Sequence, residues 1–124
     1  METMRDAGAG RPVLDVAELR DRLGNDDELV AEIIGLYLDD YPLRLDAMHG
    51  AIRTRDSARL CAEAHALKGS ASSLAGGRVA DAAHALEVTA RAGDIVLAGQ
   101  RLAVLVSEAE QLAAALRAVQ AQQS

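Results

Sequence analysis

Apolar residues recur every three or four positions along four long stretches of this chain, with polar residues between them. That spacing is typical of helices that bury one face. The four stretches span residues 30–52, 60–74, 79–90 and 95–119. Because the segments that join them are short, consecutive helices are expected to run antiparallel. The pattern therefore predicts an antiparallel four-helix bundle.

Aspartates placed before these stretches predict where the helices begin. Asp15 and Glu18 have the spacing of a capping box, which predicts a short additional N-terminal helix as far as about Leu23. An aspartate side chain can accept a hydrogen bond from an unpaired backbone N–H in the first helical turn. Three of the long helices are expected to begin at such residues, namely Asp26, Asp56 and Asp94.

Pro42 lies inside the first long stretch, where a proline would be expected to break a helix. The apolar spacing nevertheless continues past it in the same phase, through Leu45 and Met48. We therefore predict one continuous helix with a kink at Pro42. The alternative, in which a first helix ends at Tyr41, stays open at this point.

The composition agrees with an all-α domain. Hydrophobic residues make up 50% of the 124, but only two residues are aromatic, so the core must be built from leucine, valine, isoleucine and alanine. A chain of this length forms one domain that buries about two thirds of its unfolded surface. We expect that domain to cover residues 13–120, between a disordered lead-in at 1–12 and a frayed C-terminus at 121–124.

Charge and composition argue against several classes of function. The formal net charge of −6 speaks against nucleic acid as a partner, because DNA and RNA are bound through clustered positive charge. A single cysteine cannot form an internal disulfide, and no apolar run is long enough to span a membrane. The N-terminus lacks the pattern of a signal peptide, so a cytoplasmic protein with no membrane partner is expected.

Candidate chemistry is concentrated in the second long helix, around His65. His65 falls on the face opposite the apolar stripe, so its side chain is predicted to be exposed. Lys68, the only lysine among 13 basic residues, follows one turn later and would place a compact ammonium where it could contact a phosphoryl oxygen. Gly69, four residues after His65, is also expected to lie beside the imidazole ring. Since glycine destabilises a helix by about 1 kcal/mol relative to alanine, its presence indicates a need for space.

This segment resembles a family signature. Residues 65–70, with the sequence HALKGS, and Leu74 after them are similar to the motif of histidine phosphotransfer (HPt) domains. Those domains are helical modules that pass a phosphoryl group between receiver domains in phosphorelays. The resemblance extends over about residues 13–118. It departs from the family at Ala75 and Gly76, where glycine followed by alanine is common.

The resemblance implies roles for individual residues. His65 would accept a phosphoryl group on its distal ring nitrogen from a receiver-domain aspartyl phosphate and pass it to another receiver domain. Lys68 would offset the phosphate charge, and Gly69 and Ser70 would leave clearance, with Ser70 able to donate a hydrogen bond. Glu87 lies where family members often carry a Gln or Glu that orients the histidine ring.

The resemblance also implies what the chain would take from its partners. The sequence has no glycine-rich phosphate loop and no kinase signature, so the chain is expected to be a phosphoryl carrier and not an ATP-dependent enzyme. Its expected partners are response-regulator receiver domains and a hybrid histidine kinase, with the receiver supplying the metal and the acidic residues that catalyse transfer. The chain itself would need no cofactor and no metal, and a monomer would suffice.

Two other classes of function stay open. A carboxylate and an imidazole three residues apart on one helix face is a spacing found in di-metal bundles. Two such pairs occur, Asp46 with His49 and Asp81 with His84. Cys61 and His65 could likewise share a metal, although two ligands do not complete a zinc site. The remaining alternative is a helical interaction module without phosphoryl chemistry.

Overall fold

The structure, a computed structural model, describes residues 11–123. Within that range the chain forms five helices and no strand. In chain order they are α1 (Val16–Arg22), α2 (Asp27–Arg53), α3 (Ser57–Ser73), α4 (Gly77–Arg91) and α5 (Ile95–Gln123). None of these helices has both the length and the apolar composition needed to cross a membrane.

The four long helices pack in a ring. Each of α2, α3 and α4 contacts the helix that follows it, and α5 returns to contact α2. This order places α3 and α5 on opposite sides of the bundle. The short helix α1 packs against α2 and buries Leu19. The prediction of an all-α antiparallel four-helix bundle with a short additional N-terminal helix is confirmed.

Aspartates cap four of the five helices, as the sequence predicted. Asp15 Oδ1 accepts a hydrogen bond from the backbone N–H of Glu18 at 3.0 Å. The same kind of bond, with N···O distances between 3.0 and 3.2 Å, is made at the starts of α2, α3 and α5 by Asp26, Asp56 and Asp94. Each cap pairs a backbone donor that the helix itself leaves free, which fixes where the helix begins.

Aliphatic side chains on the inner faces of the helices form the core. In α3 the buried residues fall at steps of three and four, on the stripe that the sequence predicted; they are Leu60, Ala64, Leu67 and Ala71. The alanines leave room for the neighbouring helices to approach closely. Because this stripe faces the centre of the bundle, the opposite side of α3 faces outward.

Helix α2 runs without interruption through Pro42. The prediction of one continuous helix is therefore confirmed, and the alternative in which a helix ends at Tyr41 is wrong. Pro42 itself is exposed, whereas Tyr41 and Leu45 on either side are buried. Packing of the buried face before and after the proline holds the helix together, although the proline lacks the N–H that a helical hydrogen bond needs.

Two helix boundaries differ from the predicted ones. The apolar pattern of α4 starts at Val79, but the helix begins two residues earlier, at Gly77. Helix α5 continues to Gln123, although fraying was expected from residue 121. The side-chain amide of Gln123 donates a hydrogen bond to the backbone oxygen of Asp27 (Nε2···O 3.3 Å), and this contact with the start of α2 favours helix beyond the apolar stripe.

The predicted disordered lead-in at 1–12 lies outside the described residues except for Arg11 and Pro12. Arg11 forms an ion pair with Asp81 on α4, with Nη1 lying 2.8 Å from Oδ1. Both side chains are more than half exposed, so this pair contributes little to stability. Ser124, the last residue of the predicted frayed end, is also outside the described range.

The turn between α3 and α4 explains the order of Ala75 and Gly76. Ala75 has a φ of +59°, a left-handed conformation that costs a residue with a side chain about 1–2 kcal/mol. At Gly76, however, an added Cβ would lie only 2.7 Å from Cδ2 of Leu112 on α5. Packing therefore favours glycine at position 76, because a side chain there would displace Leu112, and alanine at position 75 adopts the less favourable backbone conformation.

Candidate functional site

His65 lies near the middle of α3, on the side that faces away from the core. Its side chain is 67% exposed, as the helical spacing predicted. Ala62 and Gly69, at neighbouring positions one turn away, are also exposed and small. The imidazole therefore stands above its surroundings, where another protein can reach it.

The proximal ring nitrogen of His65 contacts a buried carboxylate on the neighbouring helix. Nδ1 lies 3.0 Å from Oε2 of Glu87, which projects from α4 and is only 5% exposed. Two cations contact the same carboxylate. Lys68 Nζ lies 3.0 Å from Oε1, and Arg91 Nη2 donates a hydrogen bond to Oε2 at 2.9 Å. Glu87 thus links the acceptor candidate to two positive charges.

These contacts keep Glu87 ionised. The Lys68 ammonium, together with donors on His65 and Arg91, lowers the pKa of Glu87 from 4.5 to about 2, against the desolvation that raises it. A carboxylate in that state only accepts hydrogen bonds. At neutral pH Glu87 therefore carries a full negative charge beside the imidazole.

The charge state of Glu87 determines the tautomer of His65. Because the carboxylate has no proton to donate, the proton in the Nδ1···Oε2 contact must be on Nδ1. In the neutral ring the distal nitrogen, Nε2, then holds the lone pair. No side chain among residues 11–123 forms a hydrogen bond with Nε2. The site thus presents a nucleophilic nitrogen on an exposed ring.

The structure brings His65, Lys68 and Glu87 together and places Gly69 beside them. A Cβ built on Gly69 would meet nothing within 4 Å, so the open space predicted from this glycine is present. Ser70 is not part of the cluster. Its hydroxyl donates a hydrogen bond to the Ala66 carbonyl oxygen (3.3 Å), and it lines a groove between α2 and α3.

Arg91 is a member of the cluster that the sequence analysis missed. It stands four residues after Glu87 on α4, a spacing at which oppositely charged side chains on a helix commonly pair. That spacing was the available signal. It could be used only after Glu87 had been placed beside His65, which depends on how α4 packs against α3.

The geometry gives the metal-site alternative no support. Within the described part of the chain, no group of three or more His, Cys, Asp or Glu side chains converges on a point that could hold a metal ion. Two members of the proposed pairs have other partners. Asp81 binds Arg11, and Nδ1 of His49 lies 2.9 Å from the backbone oxygen of Leu45.

Two solved structures have the same fold as this chain. Histidine-containing phosphotransfer protein B (HptB) from Pseudomonas aeruginosa PAO1 superimposes with a TM-score of 0.84 at 22% identity, over 90% of this chain and 96% of that one. The HPT domain from an Hpt sensor hybrid histidine kinase of Shewanella gives a TM-score of 0.75 at 17% identity, over 89% and 95% of the two chains. At these identities the likeness concerns the fold. A search of curated proteins found no match.

The family itself is established by the sequence. A family model described as the Hpt domain matches residues 32–122, nearly three quarters of the chain and all of α3 and α4. The match includes the exposed histidine and the buried carboxylate that holds it. The chain therefore belongs to the Hpt domain family, the histidine phosphotransfer modules of phosphorelays.

Proposed function

We propose that His65 is the phosphoryl acceptor of this phosphotransfer domain. The proposal rests on the different surroundings of the two ring nitrogens. Nδ1 is held at 3.0 Å by the buried carboxylate of Glu87, while the ring is 67% exposed and Nε2 has its lone pair free. Nε2 can therefore meet an electrophile carried by a docked partner.

The transfer step needs no proton to move. The Nε2 lone pair attacks the phosphorus of an aspartyl phosphate on a receiver domain, the bond from phosphorus to the aspartate oxygen breaks, and the carboxylate leaves with the electron pair. The ring, still protonated at Nδ1, becomes a cation that Glu87 stabilises across 3.0 Å. In the reverse direction a receiver aspartate attacks phosphorus, and the electrons of the N–P bond return to Nε2.

Lys68 would contact the phosphoryl group, and Gly69 would leave room for the partner to approach. The Lys68 ammonium, paired with Glu87 and one turn from His65, is close enough to turn toward a phosphoryl oxygen when one arrives. Gly69 leaves the approach beside the ring open.

We propose response-regulator receiver domains and a hybrid histidine kinase as partners, with the receiver providing the catalytic groups for each transfer. This chain would act as a carrier without kinase activity of its own.

Transfer from a labelled, phosphorylated receiver domain of the same organism tests the proposal. The parent protein should acquire label that is acid-labile and base-stable, and His65→Gln should acquire none. Lys68→Ala should slow the reaction about tenfold, since it removes one charge-assisted contact. His84→Gln is the matched control, because His84 is an exposed histidine on α4 outside the cluster and should transfer like the parent. Label that persists in His65→Gln would place the acceptor elsewhere.

Gly69→Ala should separate stability from function. The added methyl group has open space and improves helix propensity, so we expect unfolding to require about 1 kcal/mol more. The same methyl group narrows the approach to His65 and should slow transfer about tenfold. Denaturant unfolding and labelled transfer measure the two effects.

Gly99→Ala on α5 is the control for this change. A Cβ at Gly99 also meets nothing within 4 Å, and α5 lies across the bundle from α3. It should stabilise the fold without slowing transfer. Equal transfer by Gly69→Ala and Gly99→Ala would show that the space at position 69 has no functional role.

A further inference from the structure

Arg91 shares a carboxylate oxygen with the histidine ring. Glu87 Oε2 accepts a hydrogen bond from Arg91 Nη2 at 2.9 Å and lies 3.0 Å from His65 Nδ1. Arg91 is 64% exposed, so it is not needed to fill the core. Its guanidinium is nevertheless committed to the one carboxylate that orients the acceptor.

Arg91 and Lys68 lie on opposite sides of the imidazole along α3. Arg91 Nη2 is 3.6 Å from Cys61 Sγ, which places the guanidinium beside the turn that precedes His65. Lys68 is on the turn that follows, and it contacts the other carboxylate oxygen, Oε1. The two cations therefore flank the ring and hold the two oxygens of Glu87 separately.

The charges of the cluster fit this arrangement. With a neutral ring, Lys68, Arg91 and Glu87 together carry one net positive charge. After transfer the ring is a cation and the phosphoryl group brings about two negative charges, which leaves the cluster neutral. Without Arg91 the phosphorylated cluster would be net negative, and within residues 11–123 Glu87 Oε2 would keep only the ring as a donor.

We infer that Arg91 is a positioning residue for phosphoryl transfer at His65. It fixes Glu87 Oε2 against Nδ1, which keeps the lone pair on Nε2, and it balances the charge of the phosphoryl group from the side opposite Lys68. This inference rests on the proposed role of His65. We therefore expect Arg91 to affect the rate of transfer within the complex and not the affinity for the receiver domain.

Transfer kinetics of Arg91→Ala, Arg91→Lys and Arg101→Ala provide the test. At saturating phosphorylated receiver, Arg91→Ala should transfer about tenfold more slowly than the parent, with the receiver concentration for half-maximal rate little changed. Arg91→Lys should restore part of the rate because it keeps a cation that can reach Oε2. Arg101 is an exposed arginine on α5, across the bundle from His65, and Arg101→Ala should behave like the parent.

Nitrogen-15 NMR of the imidazole gives a second measurement that requires no partner. In the parent at alkaline pH the proton should be on Nδ1 of His65, and in Arg91→Ala a larger fraction of molecules should carry it on Nε2. A folded but merely less stable variant would not show this change. Circular dichroism establishes that each variant is folded.

The outcomes separate the two proposals. Parent-like transfer by Arg91→Ala, or an effect confined to the half-saturating receiver concentration, would overturn the role of Arg91 and leave His65 as the acceptor. The role of Arg91 would also be overturned if Arg91→Ala and Arg91→Lys lost the same fraction of the transfer rate while the tautomer of His65 stayed unchanged. If the parent itself takes no label, the proposed function fails, and the tautomer measurement alone decides whether Arg91 positions the ring.

Discussion

Replacing Glu87 with alanine is expected to lower the rate of phosphoryl transfer about 100-fold. The carboxylate holds Nδ1–H, so that Nε2 keeps its lone pair, and it would stabilise the ring cation that the proposed transfer to Nε2 forms. Alanine removes both. Lys68 and Arg91 would also lose their shared partner and remain as two unpaired cations beside the ring. Labelled transfer from a receiver domain measures the rate.

Glu87→Gln is the matched variant for this prediction. Glutamine keeps a carbonyl oxygen that can accept from Nδ1–H, but it has no charge to stabilise the ring cation. We expect it to transfer within about tenfold of the parent, so that the difference between the two variants measures orientation apart from charge. A Glu87→Ala protein that is folded and transfers at the parental rate would contradict the role given to this carboxylate.

Replacing Leu67 with alanine should cause a large loss of stability. Leu67 is fully buried, two residues from His65 and on the opposite face of the helix. Truncating a leucine in such a position removes buried apolar contacts and leaves a cavity. We therefore expect the free energy of unfolding to fall by about 2–5 kcal/mol. Urea unfolding should show a lower midpoint with an unchanged slope.

Leu43→Ala is the control for the same chemical change at the surface. Leu43 is 68% exposed on α2, so its truncation should change the free energy of unfolding by no more than about 0.5 kcal/mol. A loss at Leu67 no larger than the loss at Leu43 would mean that α3 does not pack as described. The folded fraction of Leu67→Ala should still transfer, because the substitution leaves the His65 cluster intact.

Most of the fold could be predicted because helical periodicity is a local property of the sequence. The buried stripe continues past Pro42, which was enough to predict one helix there. What was missed depends on tertiary contacts. The end of α5 at Gln123 involves a hydrogen bond to the start of α2, and the preference for glycine at position 76 comes from Leu112 on another helix.

In the candidate site, too, local features could be predicted from the sequence and features that depend on tertiary contacts could not. The exposure of His65 follows from its place on α3, and Lys68 is one turn away on the same helix. Ser70 was expected to reach the phosphoryl group, but five residues of helix rotate its side chain about 140° away from His65, toward α2. The burial of Glu87 and its contact with Arg91 arise only when α4 packs on α3, so spacing along the chain could not reveal them.

With His65 as the proposed acceptor, its exposed nitrogen Nε2 would also determine how partners share the molecule. A donor and an acceptor receiver would each have to bring an aspartate to Nε2, because Nδ1 is occupied by Glu87. Two partners therefore could not react with one molecule at the same time. Transfer would follow a ping-pong order, in which the phosphorylated protein leaves its first partner before it meets the second. Receivers that draw on the same protein would then compete, and the flux to each would depend on their relative concentrations.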